Sequence, residues 1–193
     1  MKRRGAEQQR RTQRTAAAAA AATAAAAGFD RERILEILRE VKDPELPFVD
    51  IVELGIVRDV VLDGDALRVD ITPTYSGCPA MQVIEREVGE VLEAAGFPGV
   101  EVRTVFSPPW TTDWMSDATK QKFREYGIAP PGSVADGGGI AELVSIRRSQ
   151  PAAECPFCGS SNTVEKSEFG STACKSIHFC NACHQPFDRF KAF

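Results

Sequence analysis

In the stretch after Asp30, apolar residues fall at 34, 35, 37, 38 and 41. That spacing puts one stripe on the face of a helix. Asp30 is placed to cap its start. Asp43-Pro44 ends it, because the residue before a proline is pushed out of helical geometry. Residues 55–62 then read as a strand, Asp63-Gly64-Asp65 as a turn, and 66–72 as a second strand of alternating apolar and polar positions. Together they predict a hairpin. Cys78-Pro79 opens a second helix running to about residue 95, with Met81, Val83, Ile84, Val88, Val91 and Leu92 apolar and Gly96 as its stop. Residues 100–106 predict a third strand. The order helix, strand, strand, helix, strand predicts a compact α+β domain with its helices packed on one face of a short sheet.

Ser107-Pro108-Pro109-Trp110 breaks this pattern, and a short helix is expected over 116–126. Residues 127–153 are rich in Gly, Pro, Ala and Ser, the composition of loop and linker. The expected organisation is an extension over 1–28, an α+β domain over 29–130, a linker over 131–153 and a small ribbon over 154–193. Residues 1–15 hold six basic side chains against the single acid Glu7, and Ala predominates from 16 to 27, whereas the whole chain carries a net charge of −4. A disordered or loosely helical extension fits this composition better than a targeting segment, whose apolar stretch is normally richer in Leu.

In the ribbon four acids balance four bases, so the acidity lies in the middle of the chain. Nucleic acid is not an expected partner, since phosphates need clustered Lys and Arg. Nor is a membrane, because no apolar run approaches the roughly 20 residues of a span.

Cys155-Pro-Phe-Cys158-Gly159 and Cys180-Asn-Ala-Cys183 are two CxxC pairs. Thiolates at i and i+3 in a tight turn grip one ion from one side, and two such turns close a tetrahedral four-sulfur site. A closed site is structural, and the ion supplies folding energy that a segment this small lacks. Zinc is the favoured occupant and rubredoxin-like iron the alternative. Two disulfides or packed thiols are the competing reading. The cysteine pairs suit a reducing compartment, so the expected location is the cytoplasm. Cys174, His178 and His184 lie close enough in sequence to substitute for a knuckle cysteine, but the set of four is already complete.

Cys78 stands apart, between a strand and a helix, with Thr72, Thr74 and Ser76 before it. Backbone N–H groups at a helix start favour a thiolate, which could ligate iron, attack an electrophile or exchange sulfur. The plainer reading is a small side chain packed at the junction. Asp43-Pro44-Glu45 is a second polar turn, either a simple Asx-turn or an acid facing Cys78. Trp110 and Trp114 share one short segment with Met115. They are core residues by default, or a partner-docking patch if exposed.

The segment from Asp43-Pro44-Glu45 to Thr74-Tyr75-Ser76-Gly77-Cys78-Pro79 resembles the SufT-like domain of iron–sulfur assembly proteins. Three further runs narrow the resemblance: Ser107 to Met115, Arg124 to Pro131, and Phe169 to Lys191 with its second cysteine pair. They are similar to the D-subunit family of the bacterial phenylacetyl-CoA epoxidase system, PaaD (also PaaJ), over about residues 30–193. The resemblance implies a SufT-like domain followed by a zinc ribbon. It also implies an accessory role in aerobic phenylacetate breakdown, with the oxygenase or reductase of that system as partner. The domain would assist maturation of a metal centre and would not be catalytic alone. It carries over Asp43, Glu45, Thr74 and Cys78 as a site for transient iron or an iron–sulfur cluster. Residues 1–28 lie outside it.

Three functions compete at this point: a maturation factor acting through Cys78, an adaptor docking through Trp110 and Trp114, and an enzyme with Cys78 as nucleophile. Both histidines sit in the ribbon, so no base adjoins Cys78 in sequence. No phosphate loop, dinucleotide fingerprint or di-iron carboxylate–histidine motif is present.

Overall fold

The computed structural model describes residues 30–63, 66–75, 77–132 and 152–193. The expected extension over 1–28 and most of the expected linker lie outside them. The first helix, α1, spans Arg31–Leu38, and Asp30 accepts the Glu32 N–H at its start. It is followed by β1 (Lys42–Asp43) and β2 (Leu46–Asp50), an antiparallel pair folded around Pro44-Glu45. The sequence pattern showed only the turn, since a two-residue strand carries no periodicity. Next come β3 (Val57–Asp63) and β4 (Ala66–Ile71), the expected hairpin. Helix α2 (Ala80–Ala94) returns the chain so that β5 (Glu101–Thr104) pairs parallel to β4. Parallel neighbours need such a crossover, and a helix supplies it.

Burial follows the local pattern. Ala80, Ile84, Val88 and Leu92 recur every fourth residue of α2 and are all buried, as are Ile34 and Leu38 of α1. On β4, Leu67, Val69 and Ile71 alternate into the core. Gly96 adopts φ +95 just past α2, a conformation that disfavours any residue with a Cβ.

A 3-10 turn (Thr112–Trp114) leads into α3 (Asp117–Glu125), capped by Ser116, and then β6 (Ile128–Ala129). The last three strands are β7 (Thr163–Ser167), β8 (Lys175–Cys180) and β9 (Pro186–Phe190). They form a meander, with β6 added parallel to β9 in the order β6-β9-β8-β7.

The boundary expected near residue 130 therefore falls inside the ribbon's own sheet. Phe190 and Cys174, both ribbon residues, are buried in the same core as Ile34, Ile84 and Trp110. Phe190 meets Phe123 edge-on at 5.2 Å and Trp110 at 6.2 Å between ring centroids. A sheet of short strands cannot bury its apolar face alone, and here the first domain covers it.

Candidate functional site

One cluster of metal-ligating side chains is present among the described residues, at the turn end of the β8–β9 hairpin, and a second cluster of titratable side chains lies near its other end. The first is the knuckle pair. Cys155 to Gly159 form a tight turn in which the Gly159 N–H donates to the Cys155 carbonyl at 2.9 Å, with Gly159 at φ +71. The second turn is built alike: the His184 N–H donates to the Cys180 carbonyl at 2.9 Å, and His184 takes the left-handed place at φ 60.

The four sulfurs of Cys155, Cys158, Cys180 and Cys183 all lie within 4.8 Å of one another. Two edges measure 3.7 Å (Cys155 to Cys183) and 3.6 Å (Cys158 to Cys180). A tetrahedral zinc site with Zn–S near 2.3 Å has sulfur–sulfur edges of about 3.8 Å, so the donor set fits the ion. A disulfide needs about 2.05 Å, and all six cysteines are free.

Thiols this close titrate together. Backbone N–H groups of Cys183 and Ala182 bring Cys180 down to about 7. At Cys183 the Gln185 N–H favours the thiolate, but burial and the neighbouring thiols push the group up to about 12. A bound dication removes the conflict by stabilising all four thiolates at once.

Neither histidine nor Cys174 belongs to this cluster. His178 is buried with its ring stacked on Phe187, and its Nε2 lies 3.0 Å from Ser176 Oγ. Burial, then the nearby Arg189, pull its pKa down.

The second cluster forms where the β1–β2 turn meets the start of α2. Asp43 is buried, and its Oδ1 accepts the N–H of Glu45 at 2.8 Å and of Leu46 at 3.1 Å. The Asx-turn reading is thus correct in geometry, and the same turn also faces Cys78. Asp43 and Glu45 both lie close enough to act electrostatically on the Cys78 thiol, which is hydrogen-bonded by the Ala80 N–H and the Thr74 side chain. The sequence left open whether these segments meet, and the fold brings them together.

One expectation is reversed. A helix start was expected to favour a thiolate at Cys78. Burial instead pushes its pKa up, and although the Ala80 N–H works against this, the two carboxylates add to the rise. Asp43 is also raised, chiefly by burial. The cluster is rich in groups that carry negative charge when ionised, and short of positive charge.

Cys174 reaches the same place from the ribbon. Its thiol is buried and donates to Glu45 Oε2 at 3.6 Å, with Thr172 Oγ1 at 3.0 Å. Burial and Glu45 push it up to about 11, Thr172 opposing. Nothing in the local sequence around Cys174 signals this encounter.

The tryptophans separate. Trp110 is 5% exposed and its Nε1 donates to the Leu54 carbonyl at 3.0 Å. It is packed in the core, the default reading of this residue, and the docking alternative held only for an exposed ring. Trp114 is 38% exposed, with the Arg58 guanidinium 3.7 Å above its ring. Among the described residues no helix is long and apolar enough to cross a membrane.

Comparison with known proteins agrees with this two-part picture. Residues 31–106 match the family model for iron–sulfur cluster assembly proteins, and residues 141–191 match that for the PaaD zinc β-ribbon domain. The chain thus joins an assembly-type α+β domain to a zinc ribbon. Over 158 residues it is 42% identical to the D-subunit of a 1,2-phenylacetyl-CoA epoxidase of Escherichia coli (strain K12), covering 82% of this chain and 90% of that protein. The chain belongs to the D-subunit family of phenylacetyl-CoA epoxidases.

Over 94 residues the chain is 46% identical to the Fe-S protein maturation auxiliary factor YitW of Bacillus subtilis (strain 168), covering 47% of this chain and 89% of that one. A crystal structure of a domain of unknown function from Bacillus anthracis is similar at 36% identity and a TM-score of 0.43, covering 47% of this chain and 87% of that one.

Proposed function

We propose that this chain is an accessory component of a phenylacetyl-CoA ring-epoxidising system, and that it helps load iron or an iron–sulfur cluster into an oxygenase or reductase partner. The observation that carries the reading is the meeting of the Asp43–Glu45 turn with the Cys78 thiol at the head of α2. A soft sulfur donor beside hard carboxylates suits a borderline ion such as ferrous iron. Both thiols near this turn have raised pKa values, so each is protonated until a metal displaces the proton. Metal binding there is therefore coupled to proton release, and the grip weakens as pH falls. That suits a site that takes cargo and gives it up.

The ribbon has the other task. Four thiolates around zinc leave no open coordination position, so the ion holds the hairpins together and does not exchange with cargo.

The test is co-expression with the oxygenase and reductase components, followed by anaerobic purification and iron analysis of each partner. Cys78→Ala should leave the ribbon zinc in place and lower partner iron. If Cys78→Ala supports full iron loading and full epoxidase activity, this cysteine has no maturation role. The chain is then a structural adaptor, and Trp114→Ala, at the exposed tryptophan, should break co-purification instead.

A further inference from the structure

The four knuckle cysteines are not equally sheltered. Cys155 and Cys180 are buried, Cys183 is half-buried and Cys158 is exposed. Local opening begins where burial is least, here at Cys158, the far end of the first turn. Phe157 stands between Cys155 and Cys158. Its ring is 56% exposed, yet one side lies against Gly127, just past α3. A Cβ on Gly127 would stand 3.1 Å from both Cε1 and Cζ of that ring, inside the roughly 3.5–4.0 Å at which carbons pack.

Gly127 has a second task. It adopts φ +75, and its N–H donates to the Arg124 carbonyl at 3.0 Å, which ends α3. A helix stop of this kind also accepts asparagine. The Phe157 ring is stricter, since it leaves no room for any side chain at this position. Two residues on, Ala129 of β6 is 1% exposed in one apolar cluster with Ala153, Cys155, Cys180 and Phe187, and Cys183 packs against that cluster. Gly127 and Ala129 are held in place by α3 and by the pairing of β6 with β9, and both precede the cysteine turns in sequence.

We infer that the first cysteine turn is seated on the α3–β6 segment, with Phe157 on Gly127 as its positioning contact, so that residues 127–129 set how long the ribbon keeps its zinc. This rests on the zinc reading of the four cysteines and adds a determinant outside them. Holding the Phe157 ring restrains the turn that carries Cys158. Ala129 adds to the apolar shell that keeps water and competing ligands off the sulfurs. Neither residue is a ligand, and both act on the opening through which the ion leaves.

The experiment uses the full chain loaded with zinc, its content measured by elemental analysis. Excess 4-(2-pyridylazo)resorcinol is added and zinc transfer is followed by absorbance. Phe157→Ala should start with as much zinc as wild type and release it about tenfold faster. Gly127→Ala should do the same, because its methyl group displaces the ring. In the double variant the two effects should not multiply: with the ring gone, the added methyl changes the rate by less than about twofold. Backbone strain alone, from alanine at φ +75, would speed release equally with and without the ring, and that result overturns the inference. So does a Phe157→Ala variant that releases zinc at the wild-type rate. If wild type carries no stoichiometric zinc, the zinc reading falls and this inference with it. Should Gly127→Ala fail to fold, Phe157→Tyr takes its place, since a hydroxyl on Cζ meets the same backbone. It should also release zinc faster than wild type, and an unchanged rate overturns the seating of the ring on Gly127.

Discussion

Phe190→Ala asks whether ribbon and assembly domain are one cooperative unit. Phe190 is 1% exposed on β9 and packs against Phe123, Trp110 and Phe193. Removing a fully buried phenylalanine ring costs about 3–5 kcal/mol, from lost transfer energy plus the cavity left behind. For a body of this size each kcal/mol moves the thermal midpoint by about 2–4 °C, so the expected drop is roughly 6–20 °C.

The assay follows two probes in one melt. Trp110 fluorescence, in a Trp114→Phe background, reports the assembly domain's core. Zinc release to a chromophoric chelator reports the ribbon. With Phe190 shared between them, both transitions should move down together. A variant that releases zinc early while the Trp110 transition stays in place would refute the shared core and leave the ribbon as an independent appendage.

Further outcomes follow from individual residues. Cys155→Ser should abolish stoichiometric zinc and unfold the ribbon, because structural zinc supplies on the order of 10 kcal/mol in zinc-finger peptides; metal-free protein with an intact ribbon by near-ultraviolet circular dichroism contradicts this. Asp43→Asn should stabilise the metal-free chain at neutral pH. A carboxyl whose folded pKa is raised contributes stability that is full below its unfolded value and is lost as pH rises through the folded one. The gap between variant and wild type should thus be open at pH 7 and close below about pH 4, and a pH-independent gap in urea titrations argues against a buried, strained charge. Trp110→Ala should cost about 3–5 kcal/mol. Trp114→Ala should cost far less, since it chiefly removes a cation–π contact of about 0.5–1 kcal/mol. Equal thermal shifts for the two tryptophans would show that their environments have been misjudged.

The parts legible in the sequence are those written locally. The stripe at 84, 88 and 92 needs only the helical repeat, and the knuckles need only a cysteine three residues from another. The Asp43 turn was visible from its proline, but the β1–β2 pair was not, because β1 is two residues long. The Cys78 thiol illustrates a different limit. Its helix-start position is a local property and points to a thiolate, whereas burial and two carboxylates from another segment decide the actual direction. Trp110 and Trp114 share a segment, yet one is buried and one half-exposed, since only the packing partners Leu54, Phe190 and Arg58 distinguish them. The Glu45–Cys174 contact joins residues 129 positions apart, a separation over which no periodicity carries information.

The parallel pairing of β6 with β9 ties the two halves of the chain together through backbone hydrogen bonds. Ala129 on β6 and Thr163 on β7 lie in one four-stranded sheet, so the sheet itself carries the join. Loop closure grows only with the logarithm of length, about 0.6 kcal/mol for each doubling. Insertions within 133–151 should therefore cost little stability, provided that Cys155 and Cys158 keep their places. The shared sheet also makes the chain a natural candidate for division. Fragments ending and beginning within 133–151 carry complementary halves of one core, and mixing them should reconstitute the whole by non-covalent complementation.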